Sequence, residues 1–418
     1  LIRIKNWLSA SLILVALAGC QPGEESSAES QNNTPTLPTK SGKAVIMLND
    51  STELAFTFKV GTADSLGQPF TIFNGDEEVK AKAQFISNDS VKITLPVFAN
   101  YIKAKWNGTA LTGHYFNPDA TDYQLPFSAS FSDTNRFVVE EKPCCSINKK
   151  WRVRLAPGSE DEEPAIAYFE QEDQKVTGTF LTETGDYRFL EGSLSGTKLQ
   201  LSAFDGAHLF YFSAEVENSQ EMKGHFYSGR SYHTSWLAFR DDDFELANPD
   251  TLTYLKEGYE NLAFTFPTLA GKEVSLSDAA YQGKPVIVQI MGSWCPNCMD
   301  ETRYLKEVYE EYHPKGLEFI ALTFERARDK AYAEKRVEKM VKDLEIPYPV
   351  LIAGYTREDK AAELLPMLNH VMSYPTTIYL DANDNVQKIH TGFSGPSTPV
   401  YKNFVKENRA FITALIKK

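Results

Sequence analysis

Two cysteines three residues apart, Cys295 and Cys298, stand where an apolar run gives way to a helical pattern, and that placement points to sulfur chemistry. Val286, Ile287, Val288, Ile290 and Met291 read as a strand buried on both faces, as in a mostly parallel sheet. Gly292 and Ser293 break the run, and from Pro296 the pattern is helical until Pro314 and Gly316. Pro296 suits a first helical turn, where a missing N–H costs nothing. Cys295 is therefore expected at the helix N-terminus and Cys298 one turn inside. Unpaired N–H groups and the positive end of the helix dipole lower a thiol pKa there, from about 8.5 into roughly the 3.5–7.5 range of such motifs. Cys295 is then the attacking sulfur, and Cys298 closes on the mixed disulfide to release the product.

The helix carries further chemistry. Glu301, Leu305 and Val308 follow Cys298 at helical spacing, so Glu301 shares the buried stripe beneath the cysteines. Desolvation should raise the pKa of a carboxylate in that place, letting it pass a proton to or from Cys298. The plainer alternative is a solvated charge on an amphipathic helix. Trp294, beside Cys295, is expected to shield and shape the substrate surface, the alternative being simple packing. Zinc is the other common use of CxxC, but it needs two more ligands, and neither a second CxxC nor an HxxxH follows. No metal and no cofactor beyond a redox-active disulfide is expected.

The start of the chain reads as an address. Arg3 and Lys5 form a positive region and residues 7–18 an apolar one, while Leu17, Ala18, Gly19 and Cys20 resemble a bacterial lipobox. Residues 1–19 are thus expected to be a signal peptide, with Cys20 lipidated and holding the protein on the periplasmic side of a bacterial membrane. Gln21 leans toward the outer membrane. Residues 20–40, rich in Ser, Glu, Asn, Thr and Pro, read as a disordered tether. A net charge of −13 over 418 residues argues against nucleic acid or an anionic membrane surface as partner. The length allows two or three domains.

From 41 to 245 the apolar pattern has period two, as in Leu54, Phe56, Phe58 and Val60, with turns at Asn74-Gly75-Asp76, Asn107-Gly108 and Asp205-Gly206. This predicts an antiparallel all-β region, a sandwich or a barrel. A loose internal match between 89–116 and 197–227 suggests two related units. His114 and His225 fall at matched places, which a repeated packing solution explains more simply than a metal site. Between the units, Cys144 and Cys145 form a candidate second redox pair, because adjacent cysteines make only a strained, easily reduced ring. The alternative gives them no part in catalysis.

Residues 246–261 read as a linker, and beyond it strands and helices alternate over 262–418 as an α/β domain. Ser373-Tyr374-Pro375-Thr376-Thr377 leads directly into a strand. With Trp294-Cys295-Pro296-Asn297-Cys298 and the glutamate three residues after the second cysteine, this segment resembles the TlpA/ResA-like thiol-disulfide oxidoreductases of the thioredoxin superfamily. The resemblance implies a thioredoxin-like fold, a cis Pro375 facing the two cysteines, and a Tyr374 backbone that pairs with an extended substrate peptide. It implies an enzyme that reduces disulfides of extracytoplasmic proteins, supplied with electrons by a membrane reductase of the DsbD kind. Pro296-Asn297 departs from the Gly-Pro of ordinary thioredoxin, which leaves the direction of electron flow open. Two other functions stand beside this one. A β-domain lipoprotein could bind a partner and use the CxxC as a regulatory switch. A peroxidase of the related peroxiredoxin type is disfavoured, because Gly292 stands where a threonine is needed three residues before the reactive cysteine.

Overall fold

A period-two apolar pattern buries one face of every strand, and here it does so by curling the chain into rings. The computed structural model describes residues 35–327, 329–355 and 358–417; the expected signal peptide, Cys20 and most of the 20–40 tether lie outside them. Strands β1 (Ser41–Met47), β2 (Glu53–Val60), β3 (Gln68–Asn74), β4 (Glu77–Phe85), β5 (Ser90–Thr94), β6 (Tyr101–Trp106), β7 (Ala110–Phe116) and β8 (Gln124–Ser130) pair antiparallel in sequence. β8 returns to β1, closing a barrel. Closure leaves no open edge. Leu54, Phe56, Phe58 and Val60 are fully buried in its core, and Phe58 stacks on Phe70 at 4.5 Å.

The second β unit comprises β9 (Lys149–Leu155), β10 (Glu163–Glu172), β11 (Lys175–Thr182), β12 (Gly185–Asp186), β13 (Leu190–Ser195), β14 (Lys198–Phe204), β15 (Leu209–Asn218), β16 (Glu221–Ser228) and β17 (Tyr232–Arg240). β9 pairs with both β10 and β17, and β10 pairs with β11, so eight strands again form a closed ring, with the short β12 added on β11. Its core stacks Phe180 on Phe212 at 4.1 Å with the edge of Trp236 5.2 Å away. The sandwich alternative is thus replaced by two up-and-down barrels of the same strand order. Segments 89–116 and 197–227 occupy the fifth to seventh strands of their respective rings. The rings meet through Phe204, Leu209 and Tyr211, which join the first ring's apolar cluster, and through Asn74, whose amide exchanges two hydrogen bonds with the backbone of Phe204 at 3.0 and 3.1 Å.

The C-terminal part opens with a hairpin, β18 (Thr265–Pro267) and β19 (Glu273–Ser275), turned at Gly271 with φ +78°. There follow β20 (Val286–Met291), α1 (Pro296–Tyr312), β21 (Glu318–Glu325), α2 (Lys330–Leu344), β22 (Val350–Tyr355), α3 (Glu358–Leu364), β23 (Thr376–Leu380), β24 (Val386–Thr391) and α4 (Tyr401–Leu415). The sheet order is β22-β21-β20-β23-β24, with β20 parallel to β21 and antiparallel to β23. All six residues of β20 are buried, as a central strand covered on both faces requires. Ile287 and Met291 face a core shared with α1, α2 and α4, while Val286, Val288 and Ile290 face one shared with the hairpin and Ala361 of α3.

Two sequence expectations are corrected here, and one element is added. Residues 35–40 are not free tether: Leu37 is buried, and the Gln68 side chain bonds its backbone N–H and C=O at 2.7 and 3.0 Å. The stretch 246–261 is not a free linker either. Thr391 N–H donates to Pro249 O, Lys256 N–H to Met367 O, and Asp250 holds His390 at 2.6 Å, so it lies against the C-terminal domain. α4 has no counterpart in the sequence reading; its buried stripe of Asn408, Ile412 and Leu415 includes a polar residue that blurs the apolar period.

Candidate functional site

The local chemistry of α1 sets the site. Cys295 is its N-cap, extended at φ −95° and ψ 121°, and its sulfur accepts from the Cys298 N–H at 3.1 Å. A helix N-terminus thus spends one of its unpaired N–H groups on this sulfur. Pro296 occupies the first turn, and Cys295 and Cys298 are joined as a disulfide with Cα atoms 5.3 Å apart. Cys295 is 2% exposed and Cys298 is fully buried.

Opposite them, the Tyr374–Pro375 peptide is cis, and the Tyr374 carbonyl oxygen lies 3.2 Å from Cys295 Sγ. Ser373 to Pro375 come directly before β23, which is bonded to β20, so the sheet register itself brings this segment to the cysteines. Trp294 packs edge-on against the Tyr374 ring at 5.4 Å, donates from its indole N–H to Phe324 O at 3.0 Å, and lies under the Arg326 guanidinium.

Beneath the disulfide, Glu301 is 2% exposed. Oε2 accepts from the Gln289 side chain and Oε1 from the Thr377 hydroxyl, both at 2.8 Å. Burial pushes its pKa up to about 7, against the lowering effect of those two bonds. A second carboxyl, absent from the sequence reading, is Glu325 at the end of β21. It accepts from the Ser293 N–H at 2.8 Å and from the Ser293 hydroxyl, and burial pushes it likewise to about 7. Ser293 O in turn accepts from Arg336 of α2 at 3.3 Å, and Arg336 is paired with Asp119 of the first barrel. Nothing local in the sequence marks Glu325, since its partner lies 32 residues away.

The second barrel also reaches the site, through the connection 183–189 between β11 and β13. Asn297, between the two cysteines, donates to Asp186 O at 3.1 Å and to Phe393 O at 3.2 Å. The Pro296 carbonyl accepts from Arg188 at 3.3 Å. Arg188, 4% exposed, is paired with Asp300 of α1, Glu77 of the first barrel and Asp205 of its own barrel, so one guanidinium ties three parts of the chain together. Asp186 is buried, with its pKa raised to about 6 by burial and then by Asp300.

The other candidates lie elsewhere. The Cys144 N–H donates to Gly196 O, at the turn after β13, whereas the connection to the site precedes β13. Six residues of strand span about 20 Å, so the Cys144–Cys145 pair sits at the far end of the barrel and the fold does not bring it to Cys295. Its sulfurs are 3.3 Å apart, unbonded, and burial with the neighbouring Cys144 pushes Cys145 up to about 11. His225 lies 3.1 Å from His233 on the next strand, and among the described residues no three His, Cys, Asp or Glu side chains cluster as metal ligands do. No described helix is long and apolar enough to cross a membrane.

The Redoxin family profile matches residues 256–404. The thioredoxin-like protein YneN of Bacillus subtilis is 33% identical over 138 residues, which is 33% of this chain and 73% of that protein. The thiol-disulfide oxidoreductase ResA of Bacillus thuringiensis subsp. konkukian is 32% identical over 129 residues, 31% of this chain and 66% of that protein. Among solved structures, a thiol:disulfide interchange protein of the thioredoxin family from Chlorobium tepidum has a TM-score of 0.30 at 20% identity, covering 38% of this chain and 98% of its own.

Proposed function

The chain belongs to the thioredoxin superfamily through a TlpA/ResA-like domain, and on that premise we propose that it is an exported, membrane-tethered protein-disulfide reductase working through Cys295 and Cys298. The observation that carries the reading is the N-cap sulfur of Cys295, held by the Cys298 N–H and facing the carbonyl of Tyr374 at 3.2 Å. In the reduced protein the Cys295 thiolate attacks one sulfur of a substrate disulfide. A mixed disulfide forms, and the other substrate sulfur leaves as a thiolate and takes a proton. Cys298 then attacks Cys295 Sγ, the second substrate thiolate leaves, and the Cys295–Cys298 disulfide has given two electrons to the substrate.

Glu301, one turn below Cys298, is the group that takes the proton from that thiol and returns it during re-reduction. Trp294, Tyr374 and Pro375 form the substrate surface, with the Tyr374 backbone pairing to substrate chain. A membrane dithiol reductase of the DsbD kind restores the dithiol, and lipid on Cys20 keeps the protein on the periplasmic side of the membrane. The Cys144–Cys145 pair stands outside this cycle.

The test is dithiothreitol-driven reduction of a linear peptide bearing a cysteine–glutathione mixed disulfide. The wild type should accelerate it and Cys295→Ser should not; equal rates would end the reading. Cys298→Ser, incubated with the same peptide, should accumulate a mixed disulfide on Cys295 that dithiothreitol releases.

A further inference from the structure

In this fold the attacking sulfur lies on a cleft that the second barrel helps to build. The space in front of Cys295 has a volume of about 320 Å³. Thr184, Gly185 and Asp186 of the 183–189 connection line it together with Trp294, Ser373 and Tyr374. That is roughly ten water volumes, at the low end of the about 300–1,000 Å³ typical of small-molecule sites.

The wall is fixed by more than contact. Asp186 Oδ2 accepts from the Gly395 N–H at 2.6 Å and Oδ1 from the Ser397 hydroxyl at 3.0 Å, while its carbonyl accepts from Asn297. The Thr184 carbonyl accepts from the Ser373 hydroxyl at 2.7 Å, one residue before Tyr374. Gly185 has φ +145°, and a Cβ there would come 2.6 Å from the Asn297 amide nitrogen, so the connection approaches the CxxC as closely as glycine permits.

We propose that the 183–189 connection is the selectivity element of the redox site, admitting disulfides with slender flanks and turning away disulfides set flush in a folded surface. This rests on the exchange reading above. A sulfur attacked by Cys295 must enter the cleft together with the atoms on either side of it, because the leaving sulfur has to lie in line beyond. A small disulfide, or one on an extended stretch of chain, brings only those atoms. A folded face brings neighbours on every side, and they meet Thr184, Gly185 and Trp294 before the sulfurs touch.

The experiment compares three substrates in dithiothreitol-driven turnover by the full chain, each corrected for the uncatalysed rate. They are glutathione disulfide, the linear peptide–glutathione mixed disulfide, and the same cysteine–glutathione disulfide placed flush on a helix of a stable folded protein. The value of kcat/KM for the faster slender substrate should exceed that for the folded carrier at least tenfold; a smaller ratio overturns the inference while leaving the exchange reading in place. Turnover of none of the three removes both. The order of the first two identifies the source, a low-molecular-weight disulfide or a chain. Asp186→Ala, which frees the wall from Gly395 and Ser397, should lower the ratio at least threefold, and an unchanged ratio in the folded variant refutes the assignment. Should that variant not fold, Thr184→Trp narrows the cleft and should slow the linear peptide at least tenfold; an undiminished rate overturns the proposal.

Discussion

Replacing Glu301 by glutamine should change the pH dependence of stability by an amount that the structure fixes. The carboxyl is 2% exposed and has its pKa raised from 4.5 to about 7 by burial. At about 1.4 kcal/mol per pH unit, the ionised form is about 3 kcal/mol costlier in the folded protein than in the unfolded chain. The sign follows from proton uptake. Between pH 4.5 and 7 the folded state binds this proton more tightly, so stability falls as pH rises through that window and the full loss is present above pH 7. Glutamine carries no such charge. It also fits the hydrogen bonds: its carbonyl accepts from Gln289 and its amide donates to the Thr377 hydroxyl, which can act in either sense. The stability difference between Glu301→Gln and wild type should therefore move by about 3 kcal/mol in favour of the variant between pH 4 and pH 8.5. Denaturant unfolding of both proteins in the disulfide form reads this directly. Glu325 and Asp186 titrate in the same direction in both proteins and cancel in the difference. A difference that is flat with pH would mean that Glu301 titrates like an exposed carboxyl, and the proton-transfer role would fall with it.

Arg188→Met leaves buried Asp300 and Asp205 and half-buried Glu77 without their shared cation, and should cost about 3–5 kcal/mol in denaturant unfolding at pH 7; a loss under about 1 kcal/mol would show that the ion cluster contributes little. Asn297→Ala strands the carbonyls of Asp186 and Phe393, and a destabilisation of about 1–3 kcal/mol is expected by the same measurement. Wild-type stability would mean that those bonds are not made in solution. Phe180→Ala removes the ring stacked on Phe212 and met by Trp236, and should cost about 3–5 kcal/mol, read as a lowered melting midpoint. An unshifted midpoint would argue against a packed barrel interior.

Much of the site was legible because its chemistry is local. A thiol at a helix start, a carboxyl one turn later and a proline before a strand are each announced by near neighbours, and β20 and α1 follow from apolar period and length. The barrels were legible as β structure, but nothing in the alternation of Leu54 to Val60 says that β8 returns to β1 instead of facing a second sheet. Arg188, Asp186 and Glu325 could not be found in this way. Arg188 meets Asp300 across 112 residues and Glu77 across 111, so its role exists only once three parts of the chain have docked. Leu37 was lost for a similar reason: one apolar residue in a polar stretch carries no period, yet Gln68 pins it to the first barrel.

The two barrels share a strand order but differ in the lengths of their corners, and one of those corners reaches the site. Their third and fourth strands are joined by residues 75–76 in the first ring and by 183–189 in the second. Those five additional residues carry Gly185, Asp186 and Arg188 to the cysteines. A hairpin corner remote from the thioredoxin sheet in sequence thereby becomes the place where substrate range can be retuned, since changing Thr184 on that corner alters the mouth of the cleft and leaves the Asp186 and Arg188 bonds to the CxxC helix in place.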